Sequence, residues 1–235
     1  MPGVAVVTGA AVGLGAAFAQ ALRHEGYVVV TSDVTSDMAA GCDAVVDVAD
    51  AEQVKAWVDD VVAQHGPIEV AVANAGIARA THPLDPWDKG LDDFRTMIGV
   101  NLAGAYHLGR AVAPGMAAAG TGNIVLVSTD HMVDRPGRTT GGGAWMDLYD
   151  AAKWGLRGLV ESWALALGPS GVRVNSLCMG ATDTPMLRSF MAGRITPEFE
   201  AQIMSPEHVA GVLVELLREG PTGRTGEQVP ILCRA

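Results

Sequence analysis

The chain has 235 residues, 49% apolar and 18% charged, with 26 acidic against 16 basic side chains and a net charge of −10. A chain of this size buries a full core as one α/β domain, its composition excludes a disordered or fibrous protein, and its acidic balance argues against nucleic acid and anionic membrane as partners. The three cysteines, Cys42, Cys178 and Cys233, lie far apart without a CxxC pair and read as free thiols in a reducing compartment, with no metal site. No run reaches transmembrane length and no basic, apolar leader precedes the first strand, so a soluble, cytoplasmic protein is expected.

Val4 to Val7 is a short apolar run that reads as a strand. It leads into Thr8-Gly9-Ala10-Ala11-Val12-Gly13-Leu14-Gly15 and then into an amphipathic helix, Ala16 to Arg23. Strand, glycine-rich turn and helix in that order form the first half of a nucleotide-binding βαβ unit. Gly9, Gly13 and Gly15 would serve the tight turn, the approach of backbone to a pyrophosphate, and close helix–strand packing, with Leu14 beside them. The unpaired amides of the helix start would face the phosphates.

Tyr27 to Thr31 is a second buried strand and ends at Ser32-Asp33, 24 residues after Gly9. A carboxylate at that tip can accept hydrogen bonds from both ribose hydroxyls of an adenosine. A 2′-phosphate there would meet like charge, a repulsion of about 4 kcal/mol at ~4 Å and an effective dielectric near 20. NAD is therefore the expected cofactor.

Ala44 to Val48 reads as a third strand ending in Asp47-Val48. A helix follows from Ala51 to His65, with Val54, Val58, Val61 and Val62 on one face. Ile68 to Ala73 is a fourth strand running into Asn74-Ala75-Gly76, where a glycine suits close approach to a ligand. Residues 77–90 read as a loop. A long helix is expected from Asp92 to Met116, interrupted near Pro114, with Asn101 in its interior, where an asparagine is mildly unfavourable.

Ile124 to Val127 is a fifth strand ending at Ser128-Thr129. The glycine-rich stretch 130–147 is an unusually long loop, and such loops are commonly functional. The next helix carries Tyr149, Lys153, Leu156, Val160, Trp163 and Leu167. Val172 to Cys178 is a sixth strand, 179–205 is irregular and Met-rich, Pro206 to Arg218 is helical, and Val229 to Leu232 is the last strand. Seven strands alternating with helices imply a doubly wound parallel sheet in a single domain, residues 1–235.

Tyr149 and Lys153 stand four residues apart, on one helical face. Lys153 is one of only three lysines, with Lys55 and Lys89. An ammonium beside a phenol favours the phenolate and makes tyrosine a usable acid or base.

Taken together, these motifs resemble those of the short-chain dehydrogenase/reductase family in its compact, single-domain Rossmann form. Thr8 to Gly15 fits TGxxxGxG, Asn74 to Gly76 fits NAG and Tyr149 to Lys153 fits YxxxK, over roughly residues 4–185 with a weaker tail through 206–229. The resemblance implies reversible hydride transfer between a secondary alcohol and NAD. Tyr149 would carry the proton. Lys153 would lower its pKa and hold the nicotinamide ribose, and Thr129 would fix the substrate oxygen. Asn101 would organise a relay water through its backbone, Asn74 would steady the central strand, and Asp47 and Val48 would flank the adenine. Val174-Asn175 and Thr184-Pro185 match the segment that closes over the nicotinamide, with Thr182 and Thr184 as carboxamide contacts. A homo-oligomer, dimer or tetramer, is also implied, with the helices around 92–116 and 149–167 as interface candidates.

Three departures from the family pattern stand out. Its serine position falls on Thr129 when Gly122 to Thr129 is read in register, its proline is replaced by Met179, and the loop after Thr129 is longer than usual. The substrate loops 130–147 and 179–205 offer Met132, Val133, Trp145, Met146, Met186, Leu187, Phe190 and Met191, which suggest a hydrophobic alcohol or ketone or else ordinary packing. Arg138, Arg188 and Arg194 could meet a carboxylate or face water, and His131 could touch substrate or be an ordinary loop histidine. A sensor or scaffold that binds NAD without turning it over is the alternative class, against which the intact Tyr149/Lys153 pair argues.

Overall fold

A computed structural model describes residues 3–34, 41–133 and 143–233. Its centre is a sheet of seven strands, all parallel, in the order β3-β2-β1-β4-β5-β6-β7. The strands are β1 (Val4–Thr8), β2 (Val28–Asp33), β3 (Ala44–Val45), β4 (Ile68–Ala73), β5 (Gly122–Thr129), β6 (Val172–Met179) and β7 (Gln228–Ile231). Both faces of the sheet are covered, so its strands are near-continuous Val/Ala/Ile/Leu runs without polar alternation. Adjacent residues of β1 go to opposite faces: Val4 and Val6 enter one core, Ala5 and Val7 the other.

The first core is closed by α2 (Ala51–His65), α4 (Gly104–Ala119) and α5 (Asp147–Leu167), through side chains such as Val58, Leu108 and Leu156. The second is closed by α1 (Gly13–His24) and α8 (Pro206–Arg218), which pack on each other through Phe18, Leu22, Val209 and Leu213. The strand order reverses between β1 and β4. In an open parallel sheet that switch point leaves a crevice at the carboxyl ends of the strands, and β1, β4 and β5 deliver Gly9, Asn74 and Thr129 to it.

Several expectations for local structure need correction. β3 covers only Ala44–Val45, because the chain turns away once Val46 N–H has bonded the Asp33 carbonyl. Helix α3 (Trp87–Ile98) starts inside the expected 77–90 loop, with Pro86 as its N-cap residue. The interruption expected at Pro114 lies instead at a π-helical turn, Gly99–Ala103, and α4 runs through Pro114, whose ring faces solvent. The 179–205 segment holds two short helices, α6 (Pro185–Phe190) and α7 (Pro197–Glu200). Within the described residues no helix is long and apolar enough to cross a membrane. Among them, no group of three or more His, Cys, Asp or Glu side chains could hold a metal ion.

Candidate active site

The glycine turn is built for close approach of backbone. Gly13 sits at φ 58°, in the left-handed region, and a Cβ there would press on Thr184 Cγ2 at 3.2 Å and Pro185 Cδ at 3.3 Å. A Cβ on Gly15 would overlap the Gly9 carbonyl oxygen and stand 2.5 Å from Asn74 Nδ2. Asn74 ties the turn to the sheet: its Nδ2 donates to the carbonyls of Thr8 (3.0 Å) and Gly9 (2.9 Å), while Asn74 N–H and Ala75 N–H donate to Thr8 Oγ1. At the start of α1 the N-cap residue is Val12, which offers no side-chain acceptor, and the first turn carries no acid. The first-turn amides are thus available to an external anion. These residues fit the pyrophosphate of a dinucleotide.

Asp33 closes β2 beside this turn. Oδ2 accepts from Ala11 N–H at 3.0 Å and Oδ1 from Val34 N–H at 2.8 Å, so the buried carboxylate is fixed in direction at the mouth of the crevice. Asp47 Oδ1 accepts from Ala49 N–H at 2.9 Å and shapes the turn that brings Val48 to the same wall.

At the other end, β5 and α5 bring Thr129 and Tyr149 to the same wall of the crevice, close enough for the threonine hydroxyl to favour the ionised phenol. Lys153, one turn further along α5, is buried. Its Nζ donates to the Val127 carbonyl at 2.8 Å and lies 5.8 Å from the centre of the Tyr149 ring. Asn101 is also buried, in the π turn, where its side chain doubly bonds the backbone of Ile77: Oδ1 accepts from Ile77 N–H (2.8 Å) and Nδ2 donates to Ile77 O (2.9 Å). Such π turns are common at functional sites. Gly76 lies between these groups, and a Cβ on it would stand 3.2 Å from Asn101 Oδ1 and 3.6 Å from Lys153 Nζ.

The electrostatics differ from the sequence expectation. The Tyr149 phenol is not lowered but pushed up to about 12, first by burial and then by the charges of Asp150 and Asp130, with the Thr129 hydroxyl acting in the opposite sense. Burial has likewise driven the Lys153 ammonium down to about 8. Tyr149 keeps some contact with solvent through the cleft, which weakens the burial effect relative to a sealed pocket.

One continuous cleft of about 1170 Å³ joins Gly9, Asp33, Val48 and Asn74 to Thr129, Tyr149 and Lys153. That exceeds the ~300–1,000 Å³ of an ordinary ligand pocket and suits a dinucleotide with a substrate beside it. Thr182 and Thr184 line it, but both hydroxyls are engaged: Thr182 Oγ1 donates to the Gly180 carbonyl (3.1 Å) and Thr184 Oγ1 accepts from Leu187 N–H (3.2 Å). Asn175 lies outside the cleft, bonded to the backbone of Arg224 and Glu227.

The lid is apolar as expected at Met146, Met186, Leu187, Phe190 and Met191, and Met179 joins them from β6. Met132 and Trp145 do not line it: Met132 is buried against Ser128 and Cys178, and Trp145 stacks on His82. Val133 does not line it either. Arg188 is paired with Asp183 and Glu200, and Arg194 lies over Phe190, so neither points a free charge into the cleft. Arg138 falls outside the described residues. Asp130, Ile77 and Cys233 line the cleft without having been singled out. Ile77 directly follows the Asn74–Gly76 motif, and that adjacency was the available signal.

A family model described as short chain dehydrogenase matches residues 3–194. The cis-4-hydroxycyclohexanecarboxylate dehydrogenase of Sinomonas cyclohexanicum is 36% identical over 231 residues, 91% of this chain and 88% of that protein. The 3-oxoacyl-acyl-carrier-protein reductase FabG of Thermotoga maritima is 31% identical over 97% of this chain and 95% of its own length. Among solved structures, the ligand-free aldohexose dehydrogenase of Thermoplasma acidophilum superposes with a TM-score of 0.83 at 27% identity, covering 98% of this chain and 92% of that one.

Proposed function

From the premise that this chain belongs to the short-chain dehydrogenase family of oxidoreductases, we propose that it interconverts a secondary alcohol and its ketone with NAD, on a hydrophobic, ring-bearing small molecule. The observation that carries this reading is the meeting of Thr129 and Tyr149, with Lys153 one turn away, at the far end of a cleft that begins at the glycine turn. Bound NAD would supply the two-electron acceptor for the carbinol hydrogen. The rest falls to the protein. Thr129 both donates and accepts, so its hydroxyl can hold the substrate oxygen against Tyr149 in near-attack geometry. Tyr149 takes the hydroxyl proton in oxidation and returns it in reduction. Lys153 supplies positive charge beside the phenolate, and the apolar lid excludes water. An alicyclic substrate is supported by that lid and by the cyclohexane alcohol named for the Sinomonas relative.

The choice of NAD rests on Asp33. No lysine or arginine occurs from His24 to Val54, so nothing in that stretch would neutralise a 2′-phosphate. We expect kcat/KM for NAD to exceed that for NADP by on the order of 10² or more, and Asp33→Ala to erase most of the difference. Equal efficiency of the wild-type protein with both cofactors rejects this role.

A homo-oligomer is part of the same proposal. Tyr106 on α4 and Trp154 and Leu165 on α5 are exposed at 43%, 40% and 82%, an apolar surface on the helices named as interface candidates. Sedimentation should give a dimer or tetramer that Leu165→Glu with Trp154→Glu weakens, whereas a wild-type monomer at micromolar concentration refutes it.

A further inference from the structure

The mechanism above leaves His131 and Asp150 without a role, although both stand at its reacting end. His131 lies in the 3₁₀ turn Asp130–Met132 that follows β5, and its backbone N–H donates to Thr129 Oγ1 at 3.4 Å. Its ring nitrogen Nδ1 meets Asp150 Oδ1 at 2.7 Å, with the side chains only 16% and 18% exposed. The same imidazole stands edge-on to Tyr149, ring centres 5.9 Å apart and planes at 64°. A carboxylate only accepts, so Asp150 places the imidazole proton on Nδ1 and sets the orientation of the ring.

The two hydroxyls of the proposed reaction sit on separate elements, Thr129 at the end of β5 and Tyr149 in the first turn of α5, at the two ends of the 130–147 stretch. The His131–Asp150 side-chain pair joins the two elements, from the residue two after Thr129 to the residue next to Tyr149. We infer that His131 and Asp150 form a strap that positions Tyr149 against Thr129. This inference rests on the reading of Tyr149 and Thr129 as the reacting pair. His131 is then a positioning residue. Its ring buttresses the edge of the phenol, its main chain steers the threonine oxygen, and its Nδ1–H bonds a carboxylate whose charge acts on the phenol next to it.

Two near-isosteric replacements separate the strap from a direct role on substrate. His131→Asn keeps an N–H donor at the Nδ1 place, and His131→Gln moves it to the Nε2 place. With the strap, His131→Gln and Asp150→Ala lower kcat by about 10-fold to 10²-fold at nearly unchanged KM for the alcohol, the scale of a small misplacement of reacting groups. His131→Asn stays close to wild type. The reverse order, with His131→Gln active and His131→Asn impaired through a raised KM, would mean that Nε2 reads the substrate and overturns the strap. Wild-type rates in His131→Gln and Asp150→Ala alongside an inactive Tyr149→Phe also overturn it, while full activity in Tyr149→Phe overturns the functional reading instead. A readout on the unmodified protein stands beside these. In ¹⁵N-histidine spectra, with His131 assigned by its loss in the Asn variant, the strap requires the proton on Nδ1, and a bare Nδ1 with the proton on Nε2 rules it out.

Discussion

Tyr149→Phe should leave the fold and NAD binding in place and lower turnover by about 10³-fold, within the ~10²–10⁴ that a positioned acid–base group contributes. The substitution removes one oxygen from a side chain that keeps its packing, edge-on against His131, so nothing else in the site is obliged to move. The pH dependence gives the same prediction a second face. Oxidation needs the phenolate, and burial with Asp150 and Asp130 holds the phenol at about 12. Across neutral pH only a small fraction is ionised, and that fraction grows as pH rises, so kcat/KM for the alcohol should climb with pH. Lys153, held near 8 by burial, loses its charge as pH passes that value. Support for the phenolate fades there, and the climb should flatten above it. Reduction uses the protonated phenol and should show no such climb. Steady-state rates of both directions against pH, for wild type and the Phe variant, check this. A Phe variant that keeps a substantial rate with the same rising limb would assign the proton to another group.

How much of this could be read from the chain depends on where each feature gets its stability. The doubly wound sheet was legible because strands buried on both faces must be unbroken apolar runs, and the glycine turn because Gly13 and Gly15 hold positions no side chain can share. The π turn at Gly99–Ala103 left only a faint local mark, an asparagine inside a helical run. Asn101 meets its partner Ile77 across the fold, where α4 packs beside β4. The two lid helices carry a local signal that an irregular reading of 179–205 passes over. Thr184-Pro185 and Thr196-Pro197 each place a hydroxyl cap before a first-turn proline, and each hydroxyl accepts an amide three residues on, at 3.2 and 3.3 Å. The Lys153–Tyr149 expectation went astray for a physical reason. Spacing places the two on one face but carries no information about how deeply the fold buries them, and here burial outweighs their mutual attraction.

Thr129→Ala should cost ~10²–10³ in kcat, the usual scale for one lost transition-state hydrogen bond, while Ser128→Ala costs little beyond packing. The family's preference for serine makes Ser128 the tempting choice, and both residues end the same buried strand. Their partners separate them. Ser128 Oγ turns inward, donating to Met132 Sδ at 3.5 Å in a buried cluster that also holds Cys178. Thr129 Oγ1 serves the cleft instead: it favours the ionised form of Tyr149 and accepts from His131 N–H at 3.4 Å. Removing the Ser128 hydroxyl leaves a thioether, which tolerates a lost weak donor. Removing the Thr129 hydroxyl strips Tyr149 of a neighbour that favours its ionised form and leaves the substrate oxygen without its second anchor. Thr129→Ser should retain most activity, because the hydroxyl survives. Its looser χ1 should appear as a modest fall in kcat, since the branched Cβ of threonine restricts the rotamer that aims the oxygen. Steady-state kinetics of the three variants, with melting curves to confirm the fold, decide the matter. A dead Ser128→Ala beside an active Thr129→Ala would move the anchoring hydroxyl one residue back, to the inward face of β5.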